Sequence, residues 1–265
     1  MKITVCIKQV PDTADIKWTE NNTLDRNGVE SVVNPFDLYA AETALRIKDR
    51  YDADITAISM GPKQAENALR EVLAMGIDSA FLISDKYFAG SNTAATARVL
   101  MSAVQTKIPH TELIICGQHA IDGDTAQTGP SLAQNLKFAL VTNVKEITEV
   151  NDDFIIVKKD TDDGTETIKV KLPAVICMIK GIYEPRIPKI AGRIKAQNTN
   201  IPVYNAENLL INADTVGIKG SPTYVKKAFK PKERENGEIV LDVSSAEAAN
   251  ILLNKISDYQ KEENE

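Results

Sequence analysis

Residues 114 to 130 read Ile-Ile-Cys-Gly-Gln-His-Ala-Ile-Asp-Gly-Asp-Thr-Ala-Gln-Thr-Gly-Pro, an apolar strand that empties through Gly, Asp and Thr into a helix start. A join of that composition constrains the chain to an α/β layout. Unpaired amides at such a helix N-terminus donate to phosphate oxygens, the helix dipole favours negative charge, and small residues let the backbone come close to a ligand. The run speaks for a nucleotide without saying which one. A capped Asp-Gly-Asp-Thr turn with no ligand is the other reading of the same residues.

The upstream sequence repeats this layout. Residues 3–7 form an apolar, β-rich strand ended by Lys8-Gln9-Val10-Pro11-Asp12, and the polar residues 13–31 predict a loop or short hairpin. Asn34-Pro35 opens a helix, with Asn as N-cap and Pro at the first helical position. A second strand over 55–59 reaches Met60-Gly61-Pro62, and the helix after it ends near Met75 with Gly76 as its stop. A third strand over 80–84 precedes a helix through Ala103, and a fourth over 113–116 delivers the opening run. Strand and helix in alternation predict a Rossmann-like, doubly wound parallel sheet. Ligands bind such sheets outside the carboxyl ends of the strands, where residues 8–12, 60–62, 84–93 and 117–125 all fall. Their convergence favours the ligand.

From Phe154 the pattern changes to a hairpin, 154–159 with 166–172, turning at Asp162-Asp163-Gly164, followed by a strand over 173–180. Residues 183–200, rich in Pro, Gly, Lys and Arg, predict an exposed loop with one helical stretch. Residues 218–238 read as an extended arm. A helix over 244–259 places Ala248, Ile251, Leu252 and Ile256 on one face, to be covered by the chain's own core or by a partner subunit. The division predicted is an α/β domain over 1–217 and an arm plus helix over 218–265.

A net charge of −6 without a basic stripe speaks against nucleic acid. No apolar stretch is long enough to span a membrane and the first residues lack a signal peptide, so the expected compartment is the cytoplasm. Cys6, Cys116 and Cys177 lie inside apolar runs without CxxC spacing and read as buried structural thiols, with no metal site. His110 falls in a surface turn; His119 lies in the opening run, facing a ligand or steadying the loop. Ser/His/Asp, HExxH, G-x-S-x-G and Walker A patterns are absent. No catalytic residue is therefore assigned, and any chemistry is expected to reside in a bound cofactor. Of Asp122 and Asp124, one is expected to cap the helix or turn and the other to take a ribose hydroxyl, leaving Thr125, Gln127, Thr128 and the amides for the anion. Gly90-Ser91-Asn92-Thr93 is a second hydroxyl-rich helix entry, which suits a dinucleotide or flavin pyrophosphate; ordinary capping by Ser91 or Thr93 is the alternative.

Taken in order, the residues resemble the β (small) subunit of electron-transfer flavoproteins over most of the chain. The resemblance rests on residues 5–12, 34–37, 60–62, 74–76 and 117–133, on Glu184-Pro185-Arg186, and most specifically on the spaced pattern from Val157 to Cys177. It implies a heterodimer with an α subunit that carries FAD. In the common form the β subunit holds a structural AMP. In the bifurcating form, which residues 88–96 and 120–127 resemble more, FAD takes that place and accepts a hydride from NADH. Electrons then pass to a ferredoxin or flavodoxin and, through the α-subunit FAD, to a dehydrogenase of acyl-CoA or 2-hydroxy acid type. A stand-alone adenine-nucleotide sensor is the reading outside this class.

Carried over by position, the nucleotide contacts implied are Cys6, Asn34, Pro35, Phe36, Asp37 and Met60. They continue through Asp122, Gly123, Asp124, Thr125, Ala126, Gln127, Thr128, Gly129, Pro130, Ser131 and Ala133. Gly90, Ser91, Thr93 and Thr96 are added for the flavin side. The dehydrogenase-docking loop maps to Glu184, Arg186, Ile187, Pro188, Lys189, Ile190, Arg193 and Lys195, with Ile187 as the apolar anchor among charges.

Overall fold

Short β-branched runs buried on both faces set the central sheet. In Lys2–Cys6 (β1), Ile3 and Val5 face one layer of helices while Cys6 packs against the other. The computed structural model describes residues 1–12, 17–18, 24–25, 31–224, 226, 237 and 239–262. The chain divides into two compact units, Met1–Ala228 and Phe229–Glu265.

After β1 come the short strands Gln9–Pro11 (β2), Lys17–Trp18 (β3), Leu24–Asp25 (β4) and Ser31–Val33 (β5), then Pro35–Lys48 (α1). β3 and β4 pair antiparallel, and β2 pairs with β5; the rest of the stretch read as a loop or hairpin lies outside the described residues. Asp54–Met60 (β6), Glu66–Met75 (α2), Ser79–Ile83 (β7), Thr93–Lys107 (α3), Leu113–Gly117 (β8) and Thr128–Leu136 (α4) follow the predicted alternation. Then come Ala139–Val150 (β9), Phe154–Thr161 (β10), Gly164–Lys171 (β11), Ala174–Met178 (β12), Ile190–Asn198 (α5) and Val203–Tyr204 (β13).

The main sheet has nine strands in the order β11-β10-β9-β12-β8-β1-β6-β7-β13. From β9 to β13 neighbouring strands are parallel; β10 and β11 add an antiparallel edge. Buried residues of α1, α2 and α5 join one side of the core and those of α3 and α4 the other, the doubly wound arrangement expected. β9 corrects the sequence reading, which placed no strand between α4 and Phe154. It links the hairpin to the parallel sheet through pairings with both β10 and β12.

The second unit contains Ser245–Glu262 (α6). Ser244 opens it with a capping box: its amide donates to Glu247 Oε2 at 2.9 Å, and the Glu247 amide donates to Ser244 Oγ at 3.3 Å. Much of the predicted arm lies outside the described residues.

Candidate nucleotide site

β1 lies between β6 and β8, and the chain runs β1, β6, β7 in one direction before returning to β8 on the other side of β1. The connections therefore diverge at the carboxyl ends of β1 and β8, and such a switch point opens a crevice. The half-buried Cys6 and Met60 lie at this edge on the α3/α4 side. Cys116 and Cys177 are buried, but Cys6 is not fully so, which corrects the reading of three buried thiols. The neighbouring Cys6 thiol and burial hold the Cys116 thiol well above its ordinary pKa.

Between β8 and α4 the backbone folds tightly. The amides of Gly123 and Asp124 both donate to Ala120 O, at 3.2 and 2.8 Å. Asp124 (φ 46°) and Ala126 (φ 52°) are left-handed, and Gln127 follows at φ −107°, ψ −12°. Alternation of hand turns successive N–H groups to one side and makes an anion-binding concavity. Left-handed non-glycine residues cost energy, and such strain concentrates at ligand sites. Among the described residues the amides of Thr125, Ala126, Gln127, Thr128 and Gly129 meet no protein acceptor. Gly129 permits the close seating of α4: a Cβ there would lie 2.4 Å from Cys177 Sγ. Leu132 and Ala133 are buried beneath, while Pro130 and Ser131 are half-buried.

The capping role expected of one aspartate is not seen. Gln127 is the N-cap of α4 and makes no side-chain cap bond, so neither carboxylate caps that helix. Asp122 pairs with Lys8 Nζ at 2.6 Å, which offsets the repulsion a carboxylate would exert on phosphate. Asp124 is exposed, its Oδ1 3.5 Å from His119 Nε2. His119 in turn leans on Phe36, ring centroids 4.2 Å apart. Lys8 lies in one of the converging loops read from the sequence but is not among the site residues named there, although its place directly after the first strand is the signal that could have singled it out.

Asn34 also departs from expectation. It begins α1, but its side chain makes no cap bond. Nδ2 donates to Asp37 Oδ1 (3.0 Å) and His119 O (2.9 Å), while Oδ1 accepts from the Ile121 amide (3.2 Å). Asp37 accepts from the amides of Lys8 (2.7 Å) and Gly117 (3.2 Å). Burial pushes the Asp37 carboxyl up to about 7 against these hydrogen bonds and the Lys8 charge. Pro35 is exposed and Phe36 half-buried.

The Gly90 loop meets its own chain. Asn92, not Ser91 or Thr93, caps α3, accepting from Ala95 N at 3.0 Å. Ser91 Oγ donates to Phe88 O (2.8 Å) and accepts from Gly217 N (3.0 Å). The Asn92 amide donates to Ser221 Oγ at 2.9 Å, its Nδ2 to Thr223 Oγ1 at 3.0 Å, and Arg98 holds the carbonyls of Thr215 and Gly220. A Cβ on Gly90 (φ 73°) would meet Ile218 Cγ1 at 2.4 Å. Thr93 and Thr96 remain half-buried in the first turn. α3 packs on α4, so the two helix entries share one face of the sheet.

On the opposite face, Glu184 accepts from Tyr39 Oη at 2.9 Å. Arg186 binds Glu42, 2% exposed, through Nε (2.8 Å) and Nη2 (3.2 Å), and Asp49 through Nη2 (2.7 Å). Arg186 therefore fastens the loop to α1 rather than standing free among rim charges. Glu42 was missed; a carboxylate between the core positions Ala41 and Ala44 is its signal. Ile187 and Ile190 are 85% and 80% exposed, and Ile194, which is not among the residues named from the sequence, is 56% exposed one turn after Ile190 on α5. Pro188 is half-buried; Lys189, Arg193 and Lys195 are exposed.

The nine-stranded, mostly parallel sheet with helices on both faces makes this a protein of the doubly wound α/β class, with a crevice at its switch point and five amides ahead of and in the first turn of α4 that meet no protein acceptor among the described residues. The electron transfer flavoprotein domain model matches residues 21–209. The electron transfer flavoprotein subunit beta of Thermoanaerobacterium thermosaccharolyticum is 44% identical, covering 90% of this chain and 92% of its own. The caffeyl-CoA reductase-Etf complex subunit CarD of Acetobacterium woodii is 38% identical over 97% and 98%, and FixA of Azorhizobium caulinodans 36% over 97% and 94%. The chain belongs to the electron transfer flavoprotein family and matches its β subunits over nearly its whole length. Among the described residues no helix is long and apolar enough to cross a membrane.

Proposed function

We propose that this chain is the β subunit of an electron-bifurcating flavoprotein, paired with an α subunit and holding FAD in the crevice between β1 and β8. The reading is carried by the loop at 122–129, whose free amides gather where a pyrophosphate would lie. The residues fit that group. Thr125 to Gly129 supply the donors, Lys8 offsets Asp122, and Cys6 and Met60 offer a half-buried apolar floor. The neighbouring α3 entry extends the same face, as a dinucleotide needs. When bound, FAD supplies hydride acceptance from NADH and single-electron delivery to a ferredoxin or flavodoxin and to the α-subunit FAD. The chain's own residues bind, orient and neutralise. CarD, named for a caffeyl-CoA reductase complex, supports a dehydrogenase partner acting on a CoA ester, with Ile187, Ile190 and Ile194 as the surface offered to it.

One observation favours a second reading, a non-bifurcating β subunit with AMP: the α3 entry is engaged by the chain's own residues 215–223 through Ser91, Asn92 and Arg98. Denaturing the purified heterodimer and identifying the released nucleotides decides between them. Two FAD and no AMP is the expected result; one FAD with one AMP overturns it.

A further inference from the structure

We propose that Asn34 and Asp37 are positioning residues: they do not touch the nucleotide but fix residues 117–121, from which the nucleotide loop springs, and protonation of Asp37 loosens that hold. The inference rests on the nucleotide reading above and deepens it.

Both side chains are too deep to meet a ligand, with exposures of 1% and 6%. Their polar atoms are taken up by protein groups. Asn34 uses both N–H groups on Asp37 Oδ1 and His119 O, and its oxygen on the Ile121 amide. Asp37 ties the Lys8 amide, just past β1, to the Gly117 amide at the end of β8. The pair therefore clamps both lips of the crevice to the start of α1. Gly117 belongs to the clamp, since a Cβ there would lie 2.3 Å from Asp37 Oδ1 and 2.8 Å from Phe36 Cβ. Two outer ties continue the bracket into the loop, Lys8 to Asp122 and Phe36 through His119 to Asp124.

Every hydrogen-bond partner of the Asp37 carboxyl is a donor. The ionised group accepts from all three; a proton on Oδ1 displaces one of its two donors, and a proton on Oδ2 removes the charge that strengthens the bond from the Lys8 amide. The groups around it are Asn34 at the cap of α1, Lys8 past β1, Cys116 and Gly117 from β8, with the free Cys6 thiol against Cys116 beyond. Desolvation places the titration near neutrality, at about 7, so the clamp is complete above that pH and weakened below it. Loss of one charge-assisted bond corresponds to about tenfold in the hold on the loop.

The test follows release of the resident nucleotide from the purified heterodimer across about one unit either side of pH 7. Release is expected to slow about tenfold as pH rises through neutrality. Asp37→Asn and Gly117→Ala are each expected to give fast release with no pH dependence. A variant that keeps the wild-type profile overturns the proposal. Hydrogen exchange at the Gly117 and Ile121 amides, corrected for intrinsic rate, reads the clamp without any nucleotide. Protection lost in Gly117→Ala supports it, and unchanged protection overturns it. A heterodimer that carries no adenine nucleotide sinks the functional reading alone, because the exchange measurement still judges the clamp.

Discussion

Arg186→Gln is the substitution whose cost the structure defines best. The wild-type guanidinium makes two charge-assisted bonds to the buried Glu42 and one to Asp49, which is 56% exposed. These partners raise the Arg186 pKa above its ordinary value. Stranding a buried charge costs about 3–5 kcal/mol. Glu42 is not stranded here, because Arg46 Nε stays at 2.8 Å and the amide of residue 186 stays at 3.0 Å. Arg186 is also a third exposed, so solvent screens part of the pair. The expected loss is therefore about 2 kcal/mol, or a melting point lower by about 4–8 °C for a body of this size. Its effect should be uneven. α5 has its own anchors: Arg70 donates to the carbonyls of Ala196 and Thr199, and Gly192 lies flush on Ala74. Hydrogen exchange should rise over residues 182–188 and much less over 190–198. A melting point unchanged within about 1 °C, or destabilisation with no added exchange over 182–188, would refute the anchoring role.

Other expectations are simpler. Thr125→Leu should lower nucleotide occupancy of the purified heterodimer, measured by nucleotide release on denaturation; full occupancy would discredit the loop as the site. Ile187→Ala should slow reduction of the partner dehydrogenase several-fold while leaving NADH oxidation by the flavoprotein unchanged, and equal slowing of both would remove the docking assignment. Gly192→Ala should push α5 off α2, because the new Cβ would sit 2.3 Å from Ala74 O. Its melting point should fall, by about 1–3 kcal/mol of stability, and an unchanged one would show that α5 gives way freely. Asp37→Asn should change how unfolding depends on pH. A carboxyl raised from 3.8 to about 7 contributes stability that is complete below about pH 4 and lost as pH rises through 7. The wild type should lose up to about 4 kcal/mol over that window and the variant should not. Parallel curves would mean that Asp37 titrates normally.

The parallel half of the sheet was legible because its strands are buried on both faces and separated by short polar joins. The sequence run 113–117 has no alternation to misread, and Gly76 (φ 127°) stops α2 as a glycine should. β9 was hidden for a physical reason. Its core residues Val141, Val144, Ile147 and Val150 recur every third position, which resembles a helix more than a strand. Register shifts against both β10 and β12, with Asn143 left-handed (φ 57°), break the period-two pattern. At the site, the small-residue loop could be read from composition, but its left-handed turns at Asp124 and Ala126 could not, since neither residue type demands them. Asn34 misled in an instructive way. Its type and place before proline mark a helix cap, yet its side chain serves a loop 85 or more residues away, and only tertiary structure brings the two together.

Asp37 shows why a fold would keep so costly a group at its crevice. Desolvation makes the ionised carboxylate a burden on folding above neutrality, and an asparagine would remove that burden. An asparagine would also turn an N–H toward the Lys8 and Gly117 amides, or leave one of them unpaired, at the point where β1 and β8 separate. One proton thus acts in opposite senses, stabilising the folded chain when bound and tightening the loop when released. If the clamp is what the residue is for, a variant chosen for stability at high pH should regularly lose its nucleotide. Finding an Asp37→Asn protein that is both more stable above pH 7 and fully loaded would separate the two roles and leave the carboxylate without its reason.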